Sequence, residues 1–187
     1  KDYSGAIVQL PLPPHLDKRK IVDLVPADKD VDMLSIKAFE DFKNNKTEKL
    51  PTVVSAIVKI VRDYDIDLED KNIVVIGRGS LVGGPVSTWL TRQGFAHQVL
   101  DDKSLDFVNT LKDADVIISG TGEGGLIKKE MVKEGVIIFD AGTSTSSGKI
   151  AGDVDVSAYE KAAIITPVPG GIGPITVVSL FKNMFLN

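Results

Sequence analysis

The residues of this chain best suited to chemistry form a glycine-rich turn between a strand-like run and a helix-like run. The turn, Gly77-Arg-Gly-Ser-Leu-Val-Gly-Gly84, follows the apolar run Asn72–Ile76. Glycine lets a backbone turn tightly and approach phosphate oxygens, and the following helix N-terminus adds free N–H groups. We therefore predict a dinucleotide-binding turn, although its spacing is one residue longer than the standard fingerprint. Its candidate residues are Gly77, Arg78, Gly79, Val82 and Gly83. The alternative is a flexible structural turn.

Two acidic residues follow the next strand-like run. Asp101 and Asp102 lie 24 and 25 residues after Gly77. An acidic residue there can bind the ribose 2′-hydroxyl of NAD, and its charge would repel the 2′-phosphate of NADP. We expect NAD as the cofactor, with NADP possible. The alternatives are two solvated loop acids and, for Arg78, a solvated side chain in place of a phosphate or ribose contact.

Further glycine-rich loops follow three more strand-like runs. They contain Gly120 with Thr121, Gly142, and the segment 166–174. Because ligands bind outside the carboxyl ends of parallel strands, these loops would meet at one edge of a sheet. Structural turns explain one such loop well and several at the same edge less well.

Alternating strands and helices would position these loops. The predicted strands are Asn72–Ile76, His97–Leu100, Val116–Ser119, Val136–Asp140 and Ala163–Thr166. Apolar strands separated by helices are typical of a parallel sheet that is covered on both faces. The predicted fold class is therefore α/β, with a doubly wound parallel Rossmann sheet.

The segments on either side of this pattern are less regular. A strand is predicted at Ala6–Leu10, a helix capped by Asp17, weak helical character around Ile36–Phe42, and a helix that Pro51 opens. The last segment, Pro174–Phe185, is predicted to be an amphipathic helix with Ile175, Val178, Phe181 and Phe185 on one side.

Composition excludes several classes of function. The 187 residues are 43% hydrophobic, have a formal net charge of −4 and include no cysteine. A weakly acidic chain without a basic block argues against nucleic acid or an anionic membrane as a partner, and the apolar runs are too short to span a bilayer. No metal site is expected, and neither His15 nor His97 is assigned a catalytic role. A cytoplasmic location is expected, with a mitochondrial one compatible.

Motifs spread over nearly the whole chain resemble those of the bifunctional methylenetetrahydrofolate dehydrogenase/methenyltetrahydrofolate cyclohydrolase family. The most specific is Thr166-Pro-Val-Pro-Gly-Gly-Ile-Gly-Pro-Ile-Thr176. The others, in family order, are Gly5–Pro13, Lys29–Asp32, Gly77–Arg78 with Val82–Gly83 and Pro85, Gly124–Ile127, and Gly152–Val154. The resemblance implies part of a smaller α/β folate-binding domain, formed by residues 1–50 with 174–187. It also implies a dinucleotide-binding Rossmann domain at 51–173.

The resemblance also implies an activity. It is the oxidation of 5,10-methylenetetrahydrofolate to 5,10-methenyltetrahydrofolate with NAD(P), with hydrolysis to 10-formyltetrahydrofolate, in a homodimer that takes a folate substrate. The implied catalytic residues are Gln9, beside the family's acid/base lysine, and Asp32, on the pterin. The implied substrate-binding residues are Leu10, Pro11, Pro169, Gly170, Gly171 and Pro174. Taken alone, Gln9 fits a polar strand end and Asp32 fits a helix cap.

The sequence also departs from the family pattern. The family's Tyr-x-x-x-Lys motif has no counterpart here, and we expect the sequence to be a fragment of a longer protein. Met33–Ile36 stands where the family usually has Gly and an aromatic-His-Pro stretch. Further departures are Thr52–Val54, Gly79, Asp102 and Thr143–Ser144. A non-catalytic dinucleotide-binding module or pseudoenzyme of the same family is the second hypothesis, and another Rossmann dehydrogenase is a distant third.

Overall fold

A parallel sheet is the centre of the computed structural model, which describes residues 3–146 and 148–186. The strands are β1 (Ile73–Ile76), β2 (His97–Leu100), β3 (Val116–Ser119), β4 (Val136–Asp140), β5 (Ser144–Ser146), β6 (Lys149–Ala151) and β7 (Ala162–Ile165). Five of them form one sheet in the order β2-β1-β3-β4-β7, and every neighbouring pair in it is parallel. The antiparallel hairpin β5–β6 lies apart from it and was not predicted. The predicted α/β class is confirmed.

The sheet is covered on both faces, as the apolar strands predict. The helices are α1 (Lys18–Val22), α2 (Ile36–Lys43), α3 (Thr52–Asp63), α4 (Gly83–Gln93), α5 (Phe107–Asp113) and α6 (Ile172–Met184). On one face, Ile73 and Val75 of β1 share a core with α3 and α4. On the other face, Val74 and Ile76 pack with α5 and two short 3₁₀ turns. This two-sided packing is the doubly wound arrangement.

The helix starts follow local capping chemistry. Asp17 Oδ1 accepts a hydrogen bond from Lys20 N–H at 3.2 Å, so the predicted cap of α1 is confirmed. Ser35 caps α2 by accepting from Ala38 N–H at 3.4 Å. Helix α4 ends at Gly94, whose φ of +82° is readily accessible only to glycine.

The strand predicted at Ala6–Leu10 is wrong. The segment forms one isolated parallel bridge, between Ala6 and Asp30, in which Ala6 N–H donates to the carbonyl of Lys29 at 2.8 Å. The prolines that follow have no N–H to donate to a ladder, and apolar composition alone did not supply a partner strand.

Helix α6 connects the two ends of the chain. The side-chain amide of Asn183 donates to the carbonyls of Val31 and Leu50, both at 2.8 Å. The helix is confirmed, but most of its predicted apolar side is exposed: Val178 is 66% exposed, Phe181 59% and Phe185 80%. Within the described residues, no helix has the length and apolar character needed to cross a bilayer.

Candidate functional site

A cleft of about 650 Å³ lies at the carboxyl ends of β1, β2 and β3. It occupies the point where the strand order reverses direction, between β1 and β3, which is where open α/β sheets bind ligands. We call it the β1–β3 cleft. Its lining residues are Ile76, Gly77, Arg78, Gly79, Asp101, Asp102, Ser104, Phe107, Gly120, Thr121, Glu123 and Leu126.

The glycine turn forms one side of this cleft, and its backbone packs too closely at one position to accept a side chain. Gly77 has a φ of +96°. A Cβ placed on Gly83 would lie 1.9 Å from the carbonyl oxygen of Gly77, so no larger residue fits there. A Cβ placed on Gly79, by contrast, would meet no other atom within 4 Å. The backbone between β1 and α4 is therefore exposed to a ligand in the cleft.

The loop after β3 packs directly against this turn. A Cβ on Gly120 would lie 2.3 Å from Cγ1 of Val82, whose side chain is buried. Thr121 continues the loop and lines the cleft. The structure thus brings together the predicted glycine-turn residues and the predicted pair Gly120 and Thr121.

Of the two predicted acids, Asp101 forms an ion pair with Arg78. Arg78 Nε donates to Asp101 Oδ2 at 2.7 Å, and Arg78 Nη2 donates to the carbonyl of Val99 at 3.3 Å. Hydrogen bonds from Arg78 and from the Ser104 hydroxyl hold the pKa of Asp101 below its usual value. Asp102 is exposed and lines the cleft. Asp102 is therefore the acid better placed for a ligand hydroxyl.

The cleft fits an extended phosphate-containing ligand. Helix α4 begins after Val82 without a side-chain cap. Its first turn offers few free N–H groups, because Gly84 N–H donates to the carbonyl of Gly79 at 3.0 Å and Pro85 has none. The fit to a pyrophosphate therefore rests on the exposed glycine backbone of the turn. Gly77, Arg78 and Gly79, which line the cleft, would lie nearest the phosphates of a dinucleotide, and Asp102 would be available to its adenosine ribose. The predicted residues Val82 and Gly83 are buried and do not line the cleft.

Two buried carboxylates lie behind the cleft, and sequence reasoning assigned neither a role. Asp153 is fully buried; its Oδ2 accepts from the Ser119 hydroxyl at 2.6 Å and from Thr121 N–H at 2.7 Å. Its Oδ1 accepts from Gly122 N–H at 3.0 Å. A Cβ on the predicted residue Gly142 would lie 1.9 Å from that Oδ1, so Gly142 packs on Asp153 and is not a lining residue of the cleft.

The second carboxylate is Asp140, at the end of β4. It accepts from the N–H groups of Gly142 at 2.9 Å, Asp153 at 3.1 Å and Val154 at 3.0 Å. Burial raises the pKa of Asp140 above its usual value, against these three hydrogen bonds. The local sequence carries no signal for Asp153, because its donors lie more than 30 residues earlier in the chain.

A second, smaller cleft of about 190 Å³ surrounds Asp32. Thr52 Oγ1 donates to Asp32 Oδ1 at 2.8 Å. Burial raises the pKa of Asp32, the hydrogen bond from Thr52 lowers it, and the neighbouring charge of Asp30 raises it further. Since Ser35 caps α2, Asp32 is not a helix cap. The lining residues of this Asp32 cleft are Asp32, Met33, Leu34, Pro51, Thr52, Val53, Ser80, Leu81, Pro85 and Thr176.

Met33 has an unusual backbone beside Asp32. Its φ is +58°, in the left-handed region that favours glycine, while its side chain is buried in the core. The family that the motifs resemble usually has glycine at this position. The backbone conformation therefore matches a glycine although the residue is a methionine.

The remaining predicted substrate residues lie outside the Asp32 cleft. Gln9 is exposed, and its Nε2 donates to the carbonyl of Leu10 at 2.8 Å. Leu10 and Gly171 are half-buried, and the others are exposed: Pro11, Pro169, Gly170 and Pro174. None of these residues lines the cleft that holds Asp32. Thr176, two residues after Pro174, does line it.

Neither histidine lines the β1–β3 cleft or the Asp32 cleft. His15 is exposed in the proline-rich loop. His97 begins β2, and its Nε2 shares a hydrogen bond with the Ser87 hydroxyl at 2.7 Å. Over residues 3–146 and 148–186, no three His, Asp or Glu side chains are grouped to hold a metal ion.

A family model decides what kind of protein has this cleft. The model "Tetrahydrofolate dehydrogenase/cyclohydrolase, NAD(P)-binding domain" matches residues 51–187. The chain belongs to this family. The matched residues begin at Pro51, just before α3, and include every residue that lines the β1–β3 cleft.

Individual members of the family agree with the match. "Bifunctional protein FolD" of Staphylococcus aureus strain RF122 is 42% identical over 185 residues, which are 98% of this chain and 65% of that protein. FolD of Campylobacter jejuni superposes with a TM-score of 0.89 at 39% identity, covering 97% of this chain and 65% of that one. The chain thus spans about 65% of the length of these relatives.

A solved relative also contains a cofactor. The N5,N10-methylenetetrahydrofolate dehydrogenase-cyclohydrolase of Trypanosoma brucei was crystallised with NADP and an inhibitor. It is 32% identical and superposes with a TM-score of 0.89 over 98% of this chain and 66% of that one. The domain described here is therefore an NAD(P)-binding domain with the FolD fold.

Proposed function

We propose that this chain is the larger part of an enzyme that oxidises 5,10-methylenetetrahydrofolate to 5,10-methenyltetrahydrofolate with NAD(P). We propose that the same enzyme hydrolyses the product to 10-formyltetrahydrofolate. The relatives named bifunctional support both steps. The observation that carries the proposal is that one turn lines both clefts. Gly77–Gly79 line the β1–β3 cleft, and the next two residues, Ser80 and Leu81, line the Asp32 cleft together with Pro85 of α4.

This adjacency suits a hydride transfer. When bound, the dinucleotide supplies the hydride acceptor, so the protein has to hold two ring systems side by side. Helix α1 supports the shared segment, since Lys18 Nζ donates to the Ser80 hydroxyl at 3.2 Å. We propose that residues 1–50 with 174–187 belong to a folate-binding domain and that 51–173 form the dinucleotide-binding domain, with the reaction between them.

The proposed folate contacts centre on Asp32. A carboxylate can accept two hydrogen bonds from the amidine-like edge of a pterin, and charge-assisted bonds of this kind are strong. The position of Asp32 in a cleft beside the glycine turn supports this role. Gln9, Leu10, Pro11, Pro169, Gly170, Gly171 and Pro174 stay predictions that rest on the motifs of the chain.

We propose NAD as the preferred form of the cofactor. A 2′-phosphate near the end of β2 would meet the charge of Asp102, while Arg78 is already paired with Asp101. We further propose a cytoplasmic homodimer that takes a folate and binds neither nucleic acid nor membrane. Light scattering after gel filtration of the full-length gene product gives the oligomeric state.

A second candidate is a dinucleotide-binding protein without catalysis. It is favoured by the exposed predicted substrate residues, which do not share a cleft with Asp32. Without a complete folate site, such a protein would bind NAD(P) and fail to turn over.

An absorbance assay on the full-length gene product separates the two. It follows NAD or NADP reduction in the presence of 5,10-methylenetetrahydrofolate, and separately the loss of 5,10-methenyltetrahydrofolate. We expect turnover with NAD above NADP. Reduction of NADP alone would contradict the NAD preference and keep the enzyme. Measurable NAD binding with no turnover would make the non-catalytic protein the better account.

A further inference from the structure

The side chain of Asp153 lies immediately behind the loop of residues 120–123, which we call the β3 loop. Gly120, Thr121 and Glu123 of this loop line the β1–β3 cleft, whereas Asp153 does not. Asp153 is fully buried, so its carboxylate interacts with the loop and not with solvent. A buried charge needs several hydrogen bonds to offset its desolvation, and the donors it finds here belong largely to the loop.

The hydrogen bonds require an acceptor on both carboxylate oxygens. Oδ2 accepts from the Ser119 hydroxyl at 2.6 Å and from Thr121 N–H at 2.7 Å. Oδ1 accepts from Gly122 N–H at 3.0 Å. An ionised carboxylate has only acceptor sites, while an asparagine amide has one acceptor and one donor group. Asparagine at this position would therefore direct an N–H₂ group against one of the backbone N–H groups.

Further contacts connect these hydrogen bonds to the surface of the cleft. The Thr121 hydroxyl accepts from Glu123 N–H at 3.1 Å, which continues the ordering along the loop. Gly120 packs so closely on Val82 that a Cβ would lie 2.3 Å from its Cγ1. A shift of the loop would therefore move the contact with the glycine turn on the other side of the cleft.

Asp153 is itself held from behind. Its N–H donates to Asp140 Oδ1 at 3.1 Å, and its carbonyl accepts from Ile127 N–H at 2.9 Å. Gly142 lies against the carboxylate, where any Cβ would collide with Oδ1. The carboxylate therefore has one position, set by the ends of β3 and β4.

We propose that Asp153 is a positioning residue of the NAD(P) site, an inference that rests on the proposed function. It fixes the β3 loop against the glycine turn and so sets the shape of the cleft. It also occupies the N–H groups of Thr121 and Gly122, so these do not bind cofactor phosphates, and the loop contributes shape and side chains instead. Asp153 itself touches neither cofactor nor substrate.

The test is Asp153→Asn in the full-length gene product. Calorimetric titration with NAD and with NADP, well below the melting temperature, should show a Kd about tenfold higher than that of the wild type, as expected for the loss of one to two buried hydrogen bonds. The KM for the cofactor should rise by a similar factor, while the KM for 5,10-methylenetetrahydrofolate stays unchanged. A general loss of stability would lower the melting temperature without this difference between the two substrates.

A matched control is Asp155→Asn, two residues along. Asp155 accepts from Ser157 N–H at 2.9 Å, within its own 3₁₀ turn, and among the described residues its side chain does not hydrogen-bond to the β3 loop. Its substitution makes the same chemical change and should leave cofactor affinity within twofold of the wild type. An equal loss in both variants would overturn the inference, because charge and not the β3-loop contacts would then be responsible.

The other outcomes are equally decisive. Unchanged affinity in Asp153→Asn, with the wild type binding NAD or NADP, overturns the inference and leaves the proposed function intact. A wild type that binds neither dinucleotide contradicts the proposed function itself. If Asp153→Asn does not fold, Ser119→Ala removes only the hydroxyl donor: an affinity about threefold weaker supports the inference, and an unchanged affinity overturns it.

Discussion

Arg78 Nε donates to Asp101 Oδ2 at 2.7 Å, and both residues line the β1–β3 cleft. The pair joins the glycine turn to the end of β2. Arg78 and Asp101, both predicted to bind the cofactor, therefore bind each other in this structure. The hydrogen bond from Arg78 lowers the pKa of Asp101, so this carboxylate stays ionised throughout the neutral range. Asp102 also lines this cleft, and we propose that it is the acid that decides between a ribose hydroxyl and a phosphate.

Replacing Asp102 tests this division of roles. Asp102→Ser removes a negative charge from the cleft, so NADP affinity relative to NAD should increase by about tenfold, which corresponds to roughly 1.4 kcal/mol. Kd values for both dinucleotides, measured by titration, give the ratio. The matched control Asp113→Ser, on the exposed end of α5, should leave it unchanged. An unchanged ratio in Asp102→Ser would contradict the ribose assignment.

Replacing a glycine of the turn by alanine should have a large effect at Gly83 and a small one at Gly79. Gly83→Ala places a Cβ 1.9 Å from the Gly77 carbonyl oxygen, so the free energy of unfolding should fall by about 2 kcal/mol or more. Gly79→Ala meets nothing within 4 Å and should change it by less than about 0.5 kcal/mol. Urea denaturation of both variants measures the difference. Equal stability of the two would show that the turn relaxes around a side chain.

At position 33 we expect glycine to lower the free energy of unfolding, although the backbone there has a conformation that glycine prefers. Met33→Gly relieves a left-handed backbone worth roughly 1 to 2 kcal/mol but removes a buried side chain worth about 2 to 5 kcal/mol. We expect a net loss of about 2 kcal/mol in the free energy of unfolding. Asp65→Gly is the control, since Asp65 has a φ of +51° and is exposed, so it should gain about 0.5 kcal/mol. A gain in Met33→Gly would indicate that strain outweighs packing there.

Asp32 predicts a pH dependence for the folate and not for the cofactor. Its pKa is raised by burial, so with falling pH the carboxylate takes up a proton sooner than an ordinary aspartate. The folate KM of the wild type should therefore rise as the pH falls through this raised pKa, while the Kd for NAD stays constant. Asp32→Asn should show a high folate KM with no such acid limb. Equal loss of folate and NAD binding in Asp32→Ala would point to misfolding instead.

The sequence predicted elements best where local chemistry determines them. The strands of the sheet and the cap at Asp17 follow from apolar runs and from one side chain near one N–H group. The predicted strand at Ala6–Leu10 fails because a strand needs a partner that its own residues do not specify.

The candidate site shows the same division. Gly77 and Gly83 could be identified from their spacing, because the contact between them spans six residues. Asp153 could not, since its donors Ser119, Thr121 and Gly122 lie more than 30 residues away and meet it only when β3 and β4 pair. The pairing of Arg78 with Asp101 likewise depends on β2 lying next to β1.

Asn183 has a consequence for how this protein is made. Its amide is bound by carbonyls that lie 152 and 133 residues earlier in the chain, at Val31 and Leu50. At a translation rate of about 5–20 residues per second, Val31 is synthesised roughly 8 to 30 seconds before Asn183. During that interval the carbonyls of Val31 and Leu50 lack the amide that binds them in the folded chain. These two segments therefore complete their native hydrogen bonds only after α6 has been synthesised.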